Sequence, residues 1–167
     1  MSDKKKRVPR VRVLFVCTGN TCRSPMAEFI FKDWLRRKKL SRRFLVTSAG
    51  ISAEVGAPMT EEAAAALKAL DVRFTPRTAV QLTLKAAESA DLIVCMTEGH
   101  KRAIGTSPKL VTIAELTDGE PVLDPYGQGA AVYLKCAEHL RYACEDIFAE
   151  IERRFPDRVH TDGSPAA

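Results

Sequence analysis

From Val11 to Cys17 the chain reads VRVLFVC, apolar at every position but Arg12, and then turns polar for a few residues. A run of this length rich in β-branched residues predicts a central strand of a parallel sheet covered on both faces. Helical spacing replaces it at once: Met26, Phe29, Ile30 and Trp34 recur on one face, after Ser24 as a possible cap and Pro25 in the first turn. FLVTSAG (44–50) predicts a second strand and TEEAAAALKAL (60–70) a helix with an acidic first turn. LTLKAAESA (82–90) reads as helix, DLIVCMT (91–97) as a buried strand and KLVTIAEL (109–116) as a fourth strand. DGEPVLDPYGQGA (118–130) is loop, and a long helical pattern runs from Ala131 to Phe155, where Pro156 stops it.

Strands alternating with helices predict a doubly wound α/β fold, whose ligands sit beyond the C-terminal ends of the strands. The polar loop after the first strand therefore lies where a site is expected. At 167 residues and 46% apolar, the chain suits one domain, taken as 11–156, with a basic flexible tail at 1–10 and another tail at 157–167. No stretch approaches the roughly 20 apolar residues of a membrane span, and no secretory leader opens the chain, so the expected location is cytoplasmic.

Charge changes this picture little. Of the net +5, the first twelve residues supply all, with Lys4, Lys5, Lys6, Arg7, Arg10 and Arg12 set against Asp3. The body is formally neutral, which argues against nucleic acid or a membrane as partner. RRKKLSRR (36–43) ends a helix, where cations suit the dipole. Five cysteines, an odd number without a leader, are read as thiols rather than a disulfide scaffold. Cys95, Cys136 and Cys144 are taken as inert and His100, His139 and His160 as surface residues.

The loop CTGNTCRS (17–24) carries the chemistry. Its consecutive N–H groups at the start of a helix form a nest for a tetrahedral oxyanion such as phosphate. Gly19 and Asn20 tolerate the positive φ a nest needs, and Arg23 offers a planar fork for two phosphoryl oxygens. A nucleotide P-loop is excluded by the missing GKS/GKT ending. What this loop has instead is a nucleophile: amides, helix end and Arg23 all favour the Cys17 thiolate, which can attack phosphorus and form phosphocysteine. Ser24 is near enough in sequence to hydrogen-bond the departing thiolate. Asp124, in VLDPYG, can protonate the leaving group and then act as base toward water. Cys17 and Cys22 are not a zinc site, because no second Cys or His pair is suitably spaced. Cys22 can instead form a reversible disulfide with Cys17 that shields the nucleophile.

These residues resemble the low-molecular-weight protein tyrosine phosphatase family, whose signature is C-x5-R-S near the N-terminus with a late Asp-Pro loop. The likeness runs from Val11 to Phe155 and includes TSAG (47–50) and ADLIVCMT (90–97). It implies a single-domain four-stranded parallel sheet with helices on both faces, no metal or organic cofactor, and a monomer that hydrolyses phosphorylated proteins. Carried over, Cys17 matches the nucleophile, Arg23 the phosphate clamp and Asp124 the general acid. Asn20, Ser24 and Ser48 match the polar residues that hold loop and cysteine. Thr18, Gly19, Thr21 and Cys22 complete the phosphate cradle, and Tyr126 faces the substrate.

Thr21 stands where tyrosine phosphatases of the family carry an aliphatic residue, and is similar to the protein arginine phosphatase branch. DPYG, with one aromatic after Asp-Pro, also resembles that branch, so phosphoarginine is the expected substrate and phosphotyrosine the alternative. Arg77 departs from the family, many members of which have His there. Thioredoxin-linked arsenate reduction would need two further cysteines after the third strand, where Cys95 stands alone. A mere phosphate-binding adaptor would need neither nucleophile nor acid.

Overall fold

The computed structural model describes residues 8–160. Four parallel strands, β1 (Val11–Cys17), β2 (Phe44–Gly50), β3 (Leu92–Cys95) and β4 (Leu110–Thr112), lie in the order β2-β1-β3-β4. The register pairs Val11 with Phe44, Val13 with Leu92 and Ile93 with Leu110. With β1 flanked on both sides and covered on both faces, its near-continuous apolar run has a use at each position. Val11, Val13 and Phe15 point to one core, shared with α1 (Arg23–Arg37), α2 (Glu61–Ala69) and α6 (Ala130–Arg154). Leu14 and Val16 point to the other, with Ala87 of α3 (Leu84–Ser89) and Ile104 of α4 (Glu98–Ile104). Phe31 of α1 meets Phe15 edge-on, ring centroids 5.8 Å apart, which fastens that helix across the central strand.

Threonines begin four of the helices. Thr60, Thr83, Thr97 and Thr112 each accept a backbone N–H three residues on, opening α2, α3, α4 and α5 (Ile113–Thr117). Thr112 explains one difference from the sequence pattern: KLVTIAEL is strand only as far as Thr112, whose hydroxyl turns the rest into α5. A second difference is α4 itself, which no apolar periodicity announced. A third is at Pro156, which ends α6 but opens a further short helix, α7 (Pro156–Val159). Val159 is buried, and Arg158 pairs with Asp91 at 2.7 Å while donating to the Pro9 carbonyl at 3.0 Å and to that of Arg10. The packed body thus includes Pro9, Arg10 and residues 157–160, which the sequence had assigned to tails. Val8 is exposed, and residues 1–7 and 161–167 of the expected tails lie outside the described residues.

Among the described residues, no helix is long and apolar enough to cross a membrane, and no group of three or more His, Cys, Asp or Glu could hold a metal ion.

Candidate active site

β1 delivers Cys17 to the C-terminal end of the sheet, and α1 begins six residues later, leaving a five-residue loop to close the gap. That loop is tied from outside: the Cys17 and Thr18 carbonyls accept the amides of Ile51 and Ser52, each at 3.0 Å, and the Thr21 carbonyl accepts that of Thr60 at 3.0 Å. Asn20 takes the left-handed conformation, φ 57°, whereas Gly19 does not. The Asn20 amide donates to Cys17 Sγ at 3.3 Å, and Ser24 Oγ lies 2.9 Å from the same sulfur. Ser24 is therefore no helix cap: α1 begins at Arg23 without a side-chain cap, and the hydroxyl is turned to the thiol.

Gly50 makes this packing possible. A Cβ there would stand 2.5 Å from the Thr18 carbonyl oxygen and 3.0 Å from the Asn20 amide nitrogen. Gly50→Ala is expected to cost about 2 kcal/mol and to lower turnover by displacing the loop, read from urea unfolding and kcat on the same preparation.

Beneath the loop lies a buried polar chain. Asn20 Nδ2 donates to Ser24 Oγ at 2.8 Å and to Ser48 Oγ at 3.0 Å, and Ser48 donates to Glu28 Oε1 at 2.8 Å. Asn20 Oδ1 accepts the Val80 amide at 2.9 Å and Arg77 Nη2 at 3.3 Å. Arg77 Nη1 pairs with Glu28 Oε1, while Lys32 reaches Glu28 Oε2 at 2.9 Å. Glu28 and the use of Arg77 were not anticipated. A carboxylate set between Ala27 and Phe29 in an apolar helix stretch was the available signal.

Arg23 is buried, donating through Nη1 to the Val122 carbonyl at 3.1 Å, and its Nη2 lies 3.8 Å from Asp124 Oδ2. Val122 is itself anchored by donating its amide to Met96 at 3.0 Å, so the loop after α5 starts at the end of β3. Asp124 accepts the Tyr126 amide at 3.1 Å and remains 57% exposed, and Tyr126 is 70% exposed beside it. The loop from Cys17 to Arg23 and the loop carrying Asp124 thus meet through Arg23 and Asp124, with Thr18 exposed on the first loop and Asn20, Ser24 and Ser48 buried beneath it.

His100 corrects the expectation of a surface residue: it is 4% exposed, with Nε2 2.9 Å from Thr18 Oγ1 and Nδ1 3.0 Å from Thr97 Oγ1. Burial first, and then the nearby Arg23 charge, push its imidazole down to about 4 against the pull of Asp124. Cys22 is buried, its Sγ 3.3 Å from Tyr133 Oη and 3.6 Å from Thr21 Oγ1. Burial pushes the Cys95, Cys136 and Cys144 thiols up to about 12, which suits inert packing residues.

A family model described as low molecular weight phosphotyrosine protein phosphatase matches residues 12–157. The chain is 34% identical over 148 residues to a protein-arginine-phosphatase of Bacillus subtilis, covering 84% of this chain and 97% of that one. It is also 34% identical over 137 residues to the low molecular weight protein-tyrosine-phosphatase PtpB of Staphylococcus aureus, covering 78% and 91%. Among solved structures it is similar to the YwlE arginine phosphatase, in a cysteine-to-serine mutant with a phosphorylated active-site serine. The TM-score is 0.78 at 33% identity, over 86% of this chain and 97% of that one. A low molecular weight protein tyrosine phosphatase from T. tengcongensis matches with TM-score 0.75 and 38% identity, over 84% and 99%.

Proposed function

The chain belongs to the low molecular weight phosphotyrosine protein phosphatase family, and we propose that the bond it cleaves is the P–N bond of protein phosphoarginine. In this reading the phosphoryl group sits on the amides of Thr18, Gly19, Asn20, Thr21, Cys22 and Ser24, with the Arg23 fork on its equatorial oxygens. Cys17 Sγ attacks phosphorus, an S–P bond forms as the P–N bond breaks, and Asp124 gives its proton to the departing guanidine nitrogen. Water then attacks the phosphocysteine, Asp124 takes up its proton, and the sulfur leaves as thiolate toward Ser24 Oγ, 2.9 Å away. Inorganic phosphate is released. No metal or organic cofactor enters either step. Cys22 is the partner thiol in this reading: when a peroxide oxidises the Cys17 thiolate to a sulfenic acid, the Cys22 thiol attacks it, water leaves, and the disulfide that forms is reopened by exchange with a thiol.

One observation carries the choice of substrate: Thr21, a half-buried residue with a hydroxyl at the fifth loop position, in a chain similar to a protein-arginine-phosphatase. A hydroxyl can accept a hydrogen bond from a guanidinium N–H, which an aliphatic side chain cannot. Phosphotyrosine is the second reading, favoured by the exposed ring of Tyr126, which a substrate phenyl could stack against. The same proposal includes a cytoplasmic monomer with no nucleic-acid or membrane partner, and five free thiols suit a reducing compartment.

The test is kcat/KM on matched phosphoarginine and phosphotyrosine peptides for the parent and for Thr21→Ile. The parent is expected to prefer phosphoarginine, and the variant to move the ratio toward phosphotyrosine by roughly 10- to 100-fold, as a pocket contact of 1–3 kcal/mol allows. A parent that prefers phosphotyrosine overturns the arginine reading and leaves a tyrosine phosphatase.

A further inference from the structure

We infer that His100 is a positioning residue that holds the Thr18 hydroxyl as a hydrogen-bond donor to the phosphoryl group in the loop. The inference rests on the phosphatase reading of the site and assigns one side chain more to it.

The direction of the hydrogen bonds follows from who has a hydrogen to give. Thr97 Oγ1 begins α4 by accepting the His100 amide at 3.4 Å, and it lies 3.0 Å from His100 Nδ1. A neutral imidazole has one N–H and one bare nitrogen. If Nδ1 held the hydrogen, Thr97 would accept twice, its own partly buried hydroxyl hydrogen would be left to solvent, and the exposed Thr18 hydroxyl would instead donate to the ring. If Nδ1 is bare, Thr97 donates to it, and Nε2–H donates to Thr18 Oγ1 at 2.9 Å. The buried ring hydrogen and the hydroxyl hydrogen of the less exposed threonine, Thr97, then both have protein acceptors, and the hydrogen left over is that of the more exposed Thr18.

The consequence falls on Thr18. Its oxygen is occupied by Nε2–H, so its own hydroxyl hydrogen is the one left over. Thr18 is exposed at the mouth of the loop that starts at Cys17, so that hydrogen is available to an oxyanion bound there. Burial and the Arg23 charge keep the ring neutral at ordinary pH, which preserves the single N–H on which the arrangement depends. The ring also links the loop after β3 to the loop after β1, so α4 has a part in the site although it contributes no group that touches phosphate.

The experiment is a double-mutant cycle with p-nitrophenyl phosphate, joined to imidazole 15N spectra of the parent. Thr18→Val and His100→Leu are each expected to lower kcat/KM about tenfold, and the double variant no further, since both remove one donor. His100→Gln, whose amide N–H can reach Thr18, is expected to recover most of the loss. The parent spectrum is expected to show His100 protonated at Nε2 and bare at Nδ1. Losses that multiply to about a hundredfold, or a proton on Nδ1, overturn the inference. If His100→Leu does not fold, the His100→Gln rate and the parent spectrum decide it. A parent with no turnover of p-nitrophenyl phosphate or phosphopeptides overturns the phosphatase reading instead.

Discussion

Cys17→Ser lowers kcat/KM on phosphorylated peptides by about 10⁴-fold or more while leaving the fold in place. The expectation follows from what the site offers the attacking atom. Cys17 Sγ receives the Asn20 amide and lies beside the Ser24 hydroxyl, both of which can hold negative charge on sulfur before attack and after departure. A serine hydroxyl keeps its proton at neutral pH, and among the residues named here no neutral base touches position 17 to remove it. Losses of this order are what removal of a nucleophile from an otherwise intact site gives in hydrolases. The replacement is nearly isosteric, so unfolding should shift by less than about 1 kcal/mol. Phosphate affinity should persist, because the loop amides and Arg23 are untouched. A serine variant within tenfold of the parent would sink the phosphocysteine mechanism, since attack would then not depend on sulfur.

The parts of this site that were legible in the sequence share a property: their chemistry is local. Cys17, Asn20, Arg23 and Ser24 lie within eight residues of one another, so residue types and spacing were enough to bring them together at the one turn between β1 and α1. Strands β1 and β2 and helices α1 and α6 were legible because long periodic segments fix which side is buried. KLVTIAEL holds the fourth strand, but a shorter one than its pattern suggests, because Ile113 and Leu116 serve a helix as well as a strand, and the Thr112 hydroxyl caps the helix that follows. His100 failed for a different reason. Its ring bonds Thr18, 82 residues away in sequence, and no local pattern shows such a contact. Arg77 was visible as a departure from the family, but its use was not, because Glu28 and Ser48 come to it from α1 and β2.

That buried pair sets the second large effect. Glu28→Ala is expected to destabilise the domain by about 3 kcal/mol, the lower end for an ion pair broken by removal of one partner. The Glu28 side chain is 5% exposed and accepts Ser48 Oγ as well as Arg77, while Arg77 retains 18% exposure and hence some hydration. Without the carboxylate, Arg77 keeps only Asn20 Oδ1 at 3.3 Å and the Ser48 carbonyl at 3.5 Å. Its Nε is already a buried nitrogen without a partner. The guanidinium would thus be left part-buried with only these weaker acceptors, and its simplest relief is to pull on Asn20, whose side-chain nitrogen holds Ser24 and Ser48. Turnover should therefore fall together with stability. In urea unfolding, Glu28→Ala with Arg77→Ala is expected to be less destabilised than the two single changes added, with a coupling of about 2 kcal/mol. If the singles add, or if Glu28→Ala alone shifts stability by less than about 1 kcal/mol as exposed pairs do, the pair does not support the loop. The support would then rest on the Asn20, Ser24 and Ser48 hydrogen bonds alone.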